Sequence, residues 1–574
     1  MNADHKSIKD WMNDVGRGVV RLPSFQRDET WNHSLVSSFI EAVLQQRPLG
    51  VFLVLRVDPD NQPFLTRPVA DSVNNGEKCR EHLLDGQQRL MALWRAFKNT
   101  YDGYAFYAKF EEKENSYEFD RVVGVTKGKS NLRWIGNPGA EFSRQYIPIP
   151  ILEPGEEGSN RATNWKSEAT EVDRNLNTLV DTLRSTIGET LLPYLPMPVD
   201  TPPDEAIETF IKANTSSVRL NAFEIAVAQF EYEHSSQRDS FVSLRNFVDE
   251  VRHKLPELVR LEGEDSIGDL ILRAACVKQS RKPTHGNYKK IIPNLDQDWS
   301  SIFQGMKWAT RVLRDENIWD SRILPSTVPI RVLSALYPFV PKKGDEHSQA
   351  MRLVRSYLWR SFATNWYARQ ANDRLLGDFK ALRDALMHET YTIAERSRAR
   401  PETVFDTALP DEAALLVEGW PKSRGTLKRA ILAVSTIKGA LDMESARKIS
   451  DQNIGKREYH HVFPDNLLKS HAEKETPNLA LNCMLLEAPT NNNWRDEWPG
   501  DYLMERVKHS GIKGNRAKKA IEKRLASHCI PSGVIMGAQK EAGIDLASTY
   551  REFLQARAEM ILSAFRTLCE GEEL

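Results

Sequence analysis

Apolar positions in the first 155 residues follow two rhythms. Val19-Val20-Arg21-Leu22 is a short run ending at Pro23, and Val51-Phe52-Leu53-Val54-Leu55 is continuous, as a strand buried on both faces would be. Between them Leu35, Val36, Phe39, Ile40, Val43 and Leu44 recur at helical spacing, with Asn32 or Ser34 as the cap and Pro48-Leu49-Gly50 as the stop. Residues 81–85 read as another short strand. Gly86 then opens a helix whose inner face is Leu90, Leu93, Trp94 and Phe97. Residues 104–110 and 146–152 add two strands, and the charged stretch 111–132 between them is expected to be loop-rich. Residues 1–155 thus read as one α/β domain.

The polar residues 155–163 read as a linker, after which the periodicity turns helical. Helices are expected over 204–213 and 221–232, around the turn Asn214-Thr215-Ser216-Ser217-Val218-Arg219-Leu220. The helical pattern continues from 236 to 395. Arginine and aromatic residues interleave in Tyr357-Leu358-Trp359-Arg360-Ser361-Phe362. Such interleaving can stack on nucleic acid, but in a bundle it reads better as core with a snorkelling arginine. An Arg- and Pro-containing stretch at 396–410 is the next boundary. The expected architecture is α+β and multidomain: 1–155, a helical extension over 156–395, and a mostly helical domain over 396–574.

Composition narrows the class. The 574 residues are 40% hydrophobic and 27% charged, as in an ordinary globular protein. No apolar run is long enough to cross a membrane, since the candidate at 328–340 is short and contains Arg331. The N-terminus is polar and lacks a secretory pattern. Five cysteines without a Cys-x-x-Cys pair fit a reducing cytoplasm. The net charge of −1 gives no general attraction to nucleic acid, so a DNA enzyme must concentrate its basic residues. Residues 506–524 do so, with Arg506, Lys508, Lys513, Arg516, Lys518, Lys519, Lys523 and Arg524 against Glu522. That run is either a solvated helix face or a set of backbone contacts.

Two stretches carry chemistry. The first is Leu83-Leu84-Asp85-Gly86-Gln87-Gln88-Arg89. The first N–H groups of a helix are unpaired, and with the helix dipole they favour an anion. Gly86 removes a blocking side chain, Gln87 and Gln88 add donors, Arg89 has the reach for a bidentate phosphate contact, and Asp85 can hold a metal or orient a water. Upstream, Gln26 and Arg27 lie between the apolar Phe25 and Trp31, and an arginine there is easier to place facing a site than in a core.

The second stretch is Glu458-Tyr459-His460-His461-Val462-Phe463-Pro464, followed by Asn482 and Asn491. Phosphodiester hydrolysis by a one-metal nuclease needs a general base and a Lewis acid. His461 is the candidate base, His460 and Asn491 the candidate metal ligands, and Asn482 the residue that would hold the loop carrying the base. The reverse assignment of the two histidines uses the same residues. Adjacent strand residues face opposite ways, so both serve one site only if the strand ends there. Glu458 and Asp465 are alternative ligands.

These residues resemble one family. Phe25-Gln26-Arg27 with Trp31, then Asp85-Gly86-Gln87-Gln88-Arg89-Leu90, then Phe210, Asn214-Thr215, Leu220 and Phe223-Glu224 resemble the three signatures of the N-terminal domain of GmrSD-type (type IV, modification-dependent) restriction endonucleases. Glu29 stands where that family often has an aromatic residue, and Ser217 where it usually has glycine. Residues 460–464, 481–486, 490–491 and 499–503 are similar to the family's C-terminal nuclease domain, an HNH variant with Asn last.

The resemblance implies a ParB/sulfiredoxin-like N-terminal domain that binds and hydrolyses a nucleotide through Gln26, Arg27 and residues 85–89. It also implies a C-terminal ββα-metal (HNH) nuclease using Mg²⁺ or Mn²⁺. The expectation is an NTP-regulated endonuclease of a restriction or anti-phage system, acting in the cytoplasm on double-stranded, modified phage DNA. GTP, ATP and CTP are not distinguished, and a homodimer would supply two cuts. The competing expectations are a nucleotide-switched DNA-binding protein with an inactive nuclease domain, and an RNA-directed nuclease.

Overall fold

The apolar runs near the N-terminus lie side by side. In a computed structural model, β1 (Asp4–Ser7), β2 (Val20–Pro23), β3 (Phe52–Arg56), β4 (Thr66–Arg67), β5 (Glu81–Asp85) and β9 (Leu191–Met197) form a six-stranded mixed sheet in the order β1-β9-β3-β5-β2-β4. The residues described are 3–26, 29–72, 77–128, 130–131, 133–169, 173–213, 223–224, 226–227, 230, 244–389, 402–509 and 515–574. The chain divides into two compact units, 1–244 and 245–574. Because β9 lies between β1 and β3, residues near 195 complete the first sheet.

The first three helices pack with this sheet, and residues of the helices at 156–169 and 174–189 join the same core. α1 (Ile8–Arg17) is capped by the Ser7 hydroxyl and closed by Gly18 at φ 80°. α2 (His33–Leu44) takes Asn32 as its cap, whose side chain accepts from the Leu35 N–H. Leu35 itself points outward. In α3 (Gln87–Lys98) the expected face, Leu90, Leu93, Trp94 and Phe97, is buried. Each such side chain contributes on the order of 1.5–3 kcal/mol relative to exposure.

Three expectations for this unit fail. Residues 111–132 are largely strand: β6 (Tyr104–Lys113) and β7 (Ser116–Thr126) form a hairpin, joined by β8 (Tyr146–Pro148). One face of the hairpin is solvated, so its charges alternate with Tyr117 and Phe119 rather than marking a loop. A 3₁₀ turn over Ile149–Leu152 replaces the rest of the strand expected at 146–152. The polar "linker" is also structured. After α4 (Pro138–Phe142), α5 (Glu156–Ala169) buries Gly158, Ala162, Trp165 and Ala169, a narrow stripe of mostly small residues that carries little hydropathic signal. α6 (Arg174–Glu189) and α7 (Pro203–Ala213) follow. The expected turn at 214–220 lies outside the described residues, as does most of the helix expected at 221–232.

The second unit is mainly helical. α8 (Ile267–Lys278), α9 (Leu295–Asp315) and α12 (Ala371–Met387) pack around α10 (Val328–Leu336), while α11 (Gly344–Ala363) packs on helices further along the chain, at 426–437 and 546–569. A Cβ on Gly305 of α9 would lie 1.9 Å from the Ser334 carbonyl oxygen, so only glycine lets α9 and α10 approach this closely. Tyr357, Trp359 and Phe362 are core, as expected for the interleaved stretch. The expected boundary at 396–410 falls partly outside the described residues.

Toward the C-terminus come α13 (Thr426–Ile437), β10 (Arg457–His461), β11 (Cys483–Glu487), α14 (Ala488–Trp494), α15 (Pro499–His509), α16 (Asn515–Ser527) and α17 (Leu546–Cys569). β10 and β11 pair antiparallel, with His460 opposite Met484 and His461 opposite Cys483. A short helix over Asp465–His471 lies in the connection between β10 and β11, and α14 starts directly after β11, so the two paired strands are followed by a helix. Among the described residues, no helix is long and apolar enough to cross a membrane.

Candidate functional site

In the N-terminal unit, Asp85 ends β5 and Gly86 turns the chain into α3 at φ 100°. A Cβ on Gly86 would meet the Phe52 ring at 2.6 Å, so both backbone angle and space require glycine. No side chain caps α3. The glutamines and the arginine of this turn have defined partners. Gln26 is buried and its amide donates to the carbonyls of Leu83 (2.5 Å) and Leu84 (3.0 Å). Gln88 Oε1 accepts from the N–H groups of Thr30 (2.8 Å) and Trp31 (3.2 Å), and Gln87 Nε2 reaches Met91 Sδ at 3.4 Å.

Arg89 donates to the Leu49 and Val51 carbonyls at 2.7 and 2.9 Å and to Asp85 at 3.3 Å, with its guanidinium over the Phe52 ring. These contacts tie the loop at 49–51 to the start of α3. That loop also walls a cavity of about 640 Å³ with Arg47, Thr190 and Pro193. Glu29 is half-buried, ion-paired with Arg95 at 2.8 Å and hydrogen-bonded by the Tyr101 hydroxyl. A carboxylate with two such partners is satisfied. Arg27 lies outside the described residues.

In the second unit the two histidines have separate surroundings, as strand alternation requires. His460 is buried, with Nδ1 2.6 Å from Asn491 Oδ1 and its ring against Trp494. Asn491 Nδ2 donates to Glu458 Oε2 at 2.6 Å, so Glu458, Asn491 and His460 form one chain. With Nδ1 donating to the amide oxygen, His460 Nε2 holds the lone pair. That atom is buried and has no partner among the described residues. Burial pushes the His460 pKa down to about 4, against the upward pull of the Asn491 hydrogen bond.

His461 occupies the last position of β10. Its Nε2 is 3.1 Å from Asn478 Oδ1, and its ring stacks on Trp420 at 4.0 Å between centroids. With the Asn478 oxygen accepting, Nε2 carries the proton and Nδ1 the lone pair. Burial lowers the His461 pKa, while the Asn478 hydrogen bond and the Asp465 carboxylate oppose the shift.

The loop after His461 is clamped by Asn482. Its Oδ1 accepts from the Phe463 N–H at 2.8 Å, and its Nδ2 donates to the carbonyls of Phe463 (3.0 Å) and Pro477 (2.9 Å). Phe463 packs on Tyr550 and Phe553 of α17, and the buried Arg557 of the same helix donates to the Leu481 carbonyl.

On the other side, fully buried Asp442 gathers the hairpin and α14. It accepts from Thr490 Oγ1 at 2.6 Å, from the Glu487, Glu444 and Ser445 N–H groups, and from Arg457 at 3.3 Å. Burial by itself would raise this carboxyl, but the hydrogen bonds outweigh it and hold its pKa below the usual range. Asp442, Trp420 and Asn478 were not singled out from the sequence. Each lies at a distance along the chain that no local pattern reports.

Among the described residues, no three His, Cys, Asp or Glu side chains gather as a metal cluster. The donors present are an imidazole nitrogen, an amide oxygen and a nearby carboxylate. Such a sparse set suits a hard divalent cation that keeps waters and takes phosphate oxygens. The basic stretch divides. Arg506 pairs with Glu444 at 3.2 Å and Arg524 donates to the Met443 and Glu444 carbonyls, whereas Arg516, Lys518, Lys519 and Lys523 are exposed. Lys513 lies outside the described residues.

Residues 8–231 match the family model described as GmrSD restriction endonuclease, N-terminal domain. Over 618 aligned positions the chain is 21% identical to the uncharacterized protein MJ0686 of Methanocaldococcus jannaschii, with 98% of each chain covered. The match over residues 8–231, which includes the turn at 85–89, supports a GmrSD-type restriction endonuclease family for this chain.

Proposed function

We infer that the protein is an NTP-regulated, divalent-metal-dependent DNA endonuclease of a restriction or anti-phage system, directed at modified DNA. The restriction endonuclease family suggested by the N-terminal match implies DNA as the partner. The observation that carries the nuclease reading is the β10–β11–α14 arrangement. It sets His460 Nδ1 2.6 Å from Asn491 Oδ1, next to His461 and the Asn482 clamp. A Mg²⁺ or Mn²⁺ ion held by His460 and Asn491, with Glu458 behind them, would supply Lewis-acid stabilisation of the phosphate.

The chain's own residues supply the rest. His461 accepts a proton from the attacking water at Nδ1, held by Asn478 at Nε2 and by the Trp420 ring. Asn482 fixes the loop that follows. Because His460 and His461 face opposite sides of β10, the scissile phosphate would lie across the end of the strand, where His461 is its last residue. In the N-terminal unit, Asp85, Gly86 and the uncapped start of α3 would receive the nucleotide phosphates. Arg89 then links that turn to the loop at 49–51.

The test is cleavage of differently modified phage genomes, plain plasmid and RNA, with GTP, ATP or CTP and with Mg²⁺ or Mn²⁺. His461→Ala should abolish cleavage, and Asp85→Ala should abolish NTP hydrolysis. Undiminished metal-dependent cleavage by His461→Ala would refute the site assignment. NTP hydrolysis without any cleavage by the wild type would favour the switch reading, and RNA-only cleavage the RNA reading.

A further inference from the structure

The face of β10 that carries His461 continues into a cavity. This space of about 740 Å³ lies within the second unit, and its walls include Arg322, Lys422, Arg424, Thr426, Arg429 and Tyr459. Tyr459 lies two residues before His461 on β10, on the same side of the strand. Both rings lie beside Trp420, at 6.3 and 4.0 Å between centroids. Two residues along a strand span about 6.6 Å, close to two base steps of duplex DNA at about 3.4 Å each.

The charges of this cavity do not cancel locally. Its two acids are matched to arginines, Glu262 to Arg331, and Asp269 to Arg273 at 2.7 Å. Arg322 is paired with Asp320 at 3.0 Å and donates to the carbonyls of Ile454 and Arg457. Lys422, Arg424 and Arg429 have no acidic partner among the described residues. Arg429 donates once, to the Ser321 carbonyl at 2.9 Å, and its buried Nε has no partner among the described residues. Gly425 and Thr426, at the start of the twelve-residue α13, also line the space, and no side chain caps that helix. Three unpaired cations, a buried guanidinium N–H and a helix start in one concavity are complementary to a phosphate group.

We propose that this cavity binds a backbone phosphate of the substrate nucleic-acid strand, a short distance from the bond at His461. Lys422, Arg424 and Arg429 supply the charge, and Tyr459 and Trp420 form the aromatic wall between the two phosphates. The proposal rests on the nuclease reading for its substrate, but the surface can be tested separately. It also explains how a chain of net charge −1 attracts a polyanion, by leaving cations without acids where the strand passes.

The experiment uses the full chain and a fluorescent DNA duplex, with metal chelated so that binding is read alone across a salt series. Lys422→Ala/Arg424→Ala should weaken binding about tenfold at low salt. It should also reduce the slope of log K against log salt by roughly 0.9, for the one phosphate that the cavity neutralises. Arg424→Glu should weaken binding further, and in cleavage assays the defect should fall on KM. Unchanged affinity and slope in both variants would overturn the proposal.

Inorganic phosphate and free NTP at matched ionic strength form the second arm. If either binds the wild type and is lost in the double variant while DNA binding is retained, the cavity serves a free phosphate and the strand assignment is wrong. The two readings fail differently. A wild type that binds DNA with the cation-dependent slope but never cleaves removes the nuclease and keeps the cavity. Cleavage that needs His461 but ignores Lys422 and Arg424 removes the cavity alone.

Discussion

Asp442 and Arg457 are both buried, and their ion pair is embedded in hydrogen bonds from α14 and the β10–β11 hairpin. Removing one partner of a buried pair typically costs about 3–5 kcal/mol. Asp442→Ala is therefore expected to lower the unfolding free energy from urea titration by that order and to impair the site by releasing α14, although Asp442 touches neither histidine. Its effect on stability distinguishes it from Asn478→Ala. That change should leave the unfolding free energy within about 1 kcal/mol and lower kcat by freeing the His461 ring. Equal loss of stability in both variants would contradict this division.

Burial also sets a pH window. His460 and His528 are held near 4 against an ordinary value of 6.5, so between these values the unfolded chain binds protons that the folded chain refuses. Their destabilising effect is absent above about pH 6.5, grows as pH falls, and reaches about 3 kcal/mol per residue near pH 4. Denaturant titrations should show this decline, and a flat midpoint from pH 6.5 to 5 would mean that the rings are not buried in neutral form. The lowered pKa of His461 has the opposite consequence for activity: the base stays deprotonated below pH 6.5, so the acidic limb of kcat/KM should lie below that value.

At the level of elements, two turns matter most. The β5–α3 junction depends on Gly86, which combines φ 100° with contact against Phe52. Gly86→Ala should cost more than about 1 kcal/mol and shift Arg89, whose contacts span the same junction. The loop between β10 and β11 depends on Asn482, and Asn482→Ala leaves the Phe463 peptide and Pro477 carbonyl without partners, at about 1–3 kcal/mol for each group left buried. Thermal melts of both variants check these values. Both turns were legible because a strand end, a glycine and a helix start are adjacent in the chain, as are a histidine pair and a proline. The hairpin at 104–126 and the helix at 156–169 were not. The first hides an alternation among charges, and the second buries only small residues and one tryptophan.

At the scale of the whole molecule, the chain divides into units 1–244 and 245–574. Each has its own buried core and its own candidate chemistry. Expressed separately, residues 245–574 are expected to cleave DNA without NTP control, and residues 1–244 to hydrolyse NTP without cleaving. NTP-dependent cleavage by 245–574 alone would place nucleotide control in the wrong unit.

The sequence by itself determined the kinds of chemistry and their order: a glycine turn at a strand–helix junction, then two histidines, then Asn482 and Asn491. Such patterns are carried by neighbouring residues, whose relative positions follow from local backbone geometry. The tertiary structure decided the partners. It set Trp420 and Asn478 on His461, Asn491 and Glu458 with His460, and Arg89 on the loop at 49–51. It also brought α13 and Tyr459 around one cationic cavity. These contacts join residues seventeen to more than a hundred positions apart, and only packing of the elements against one another brings them together.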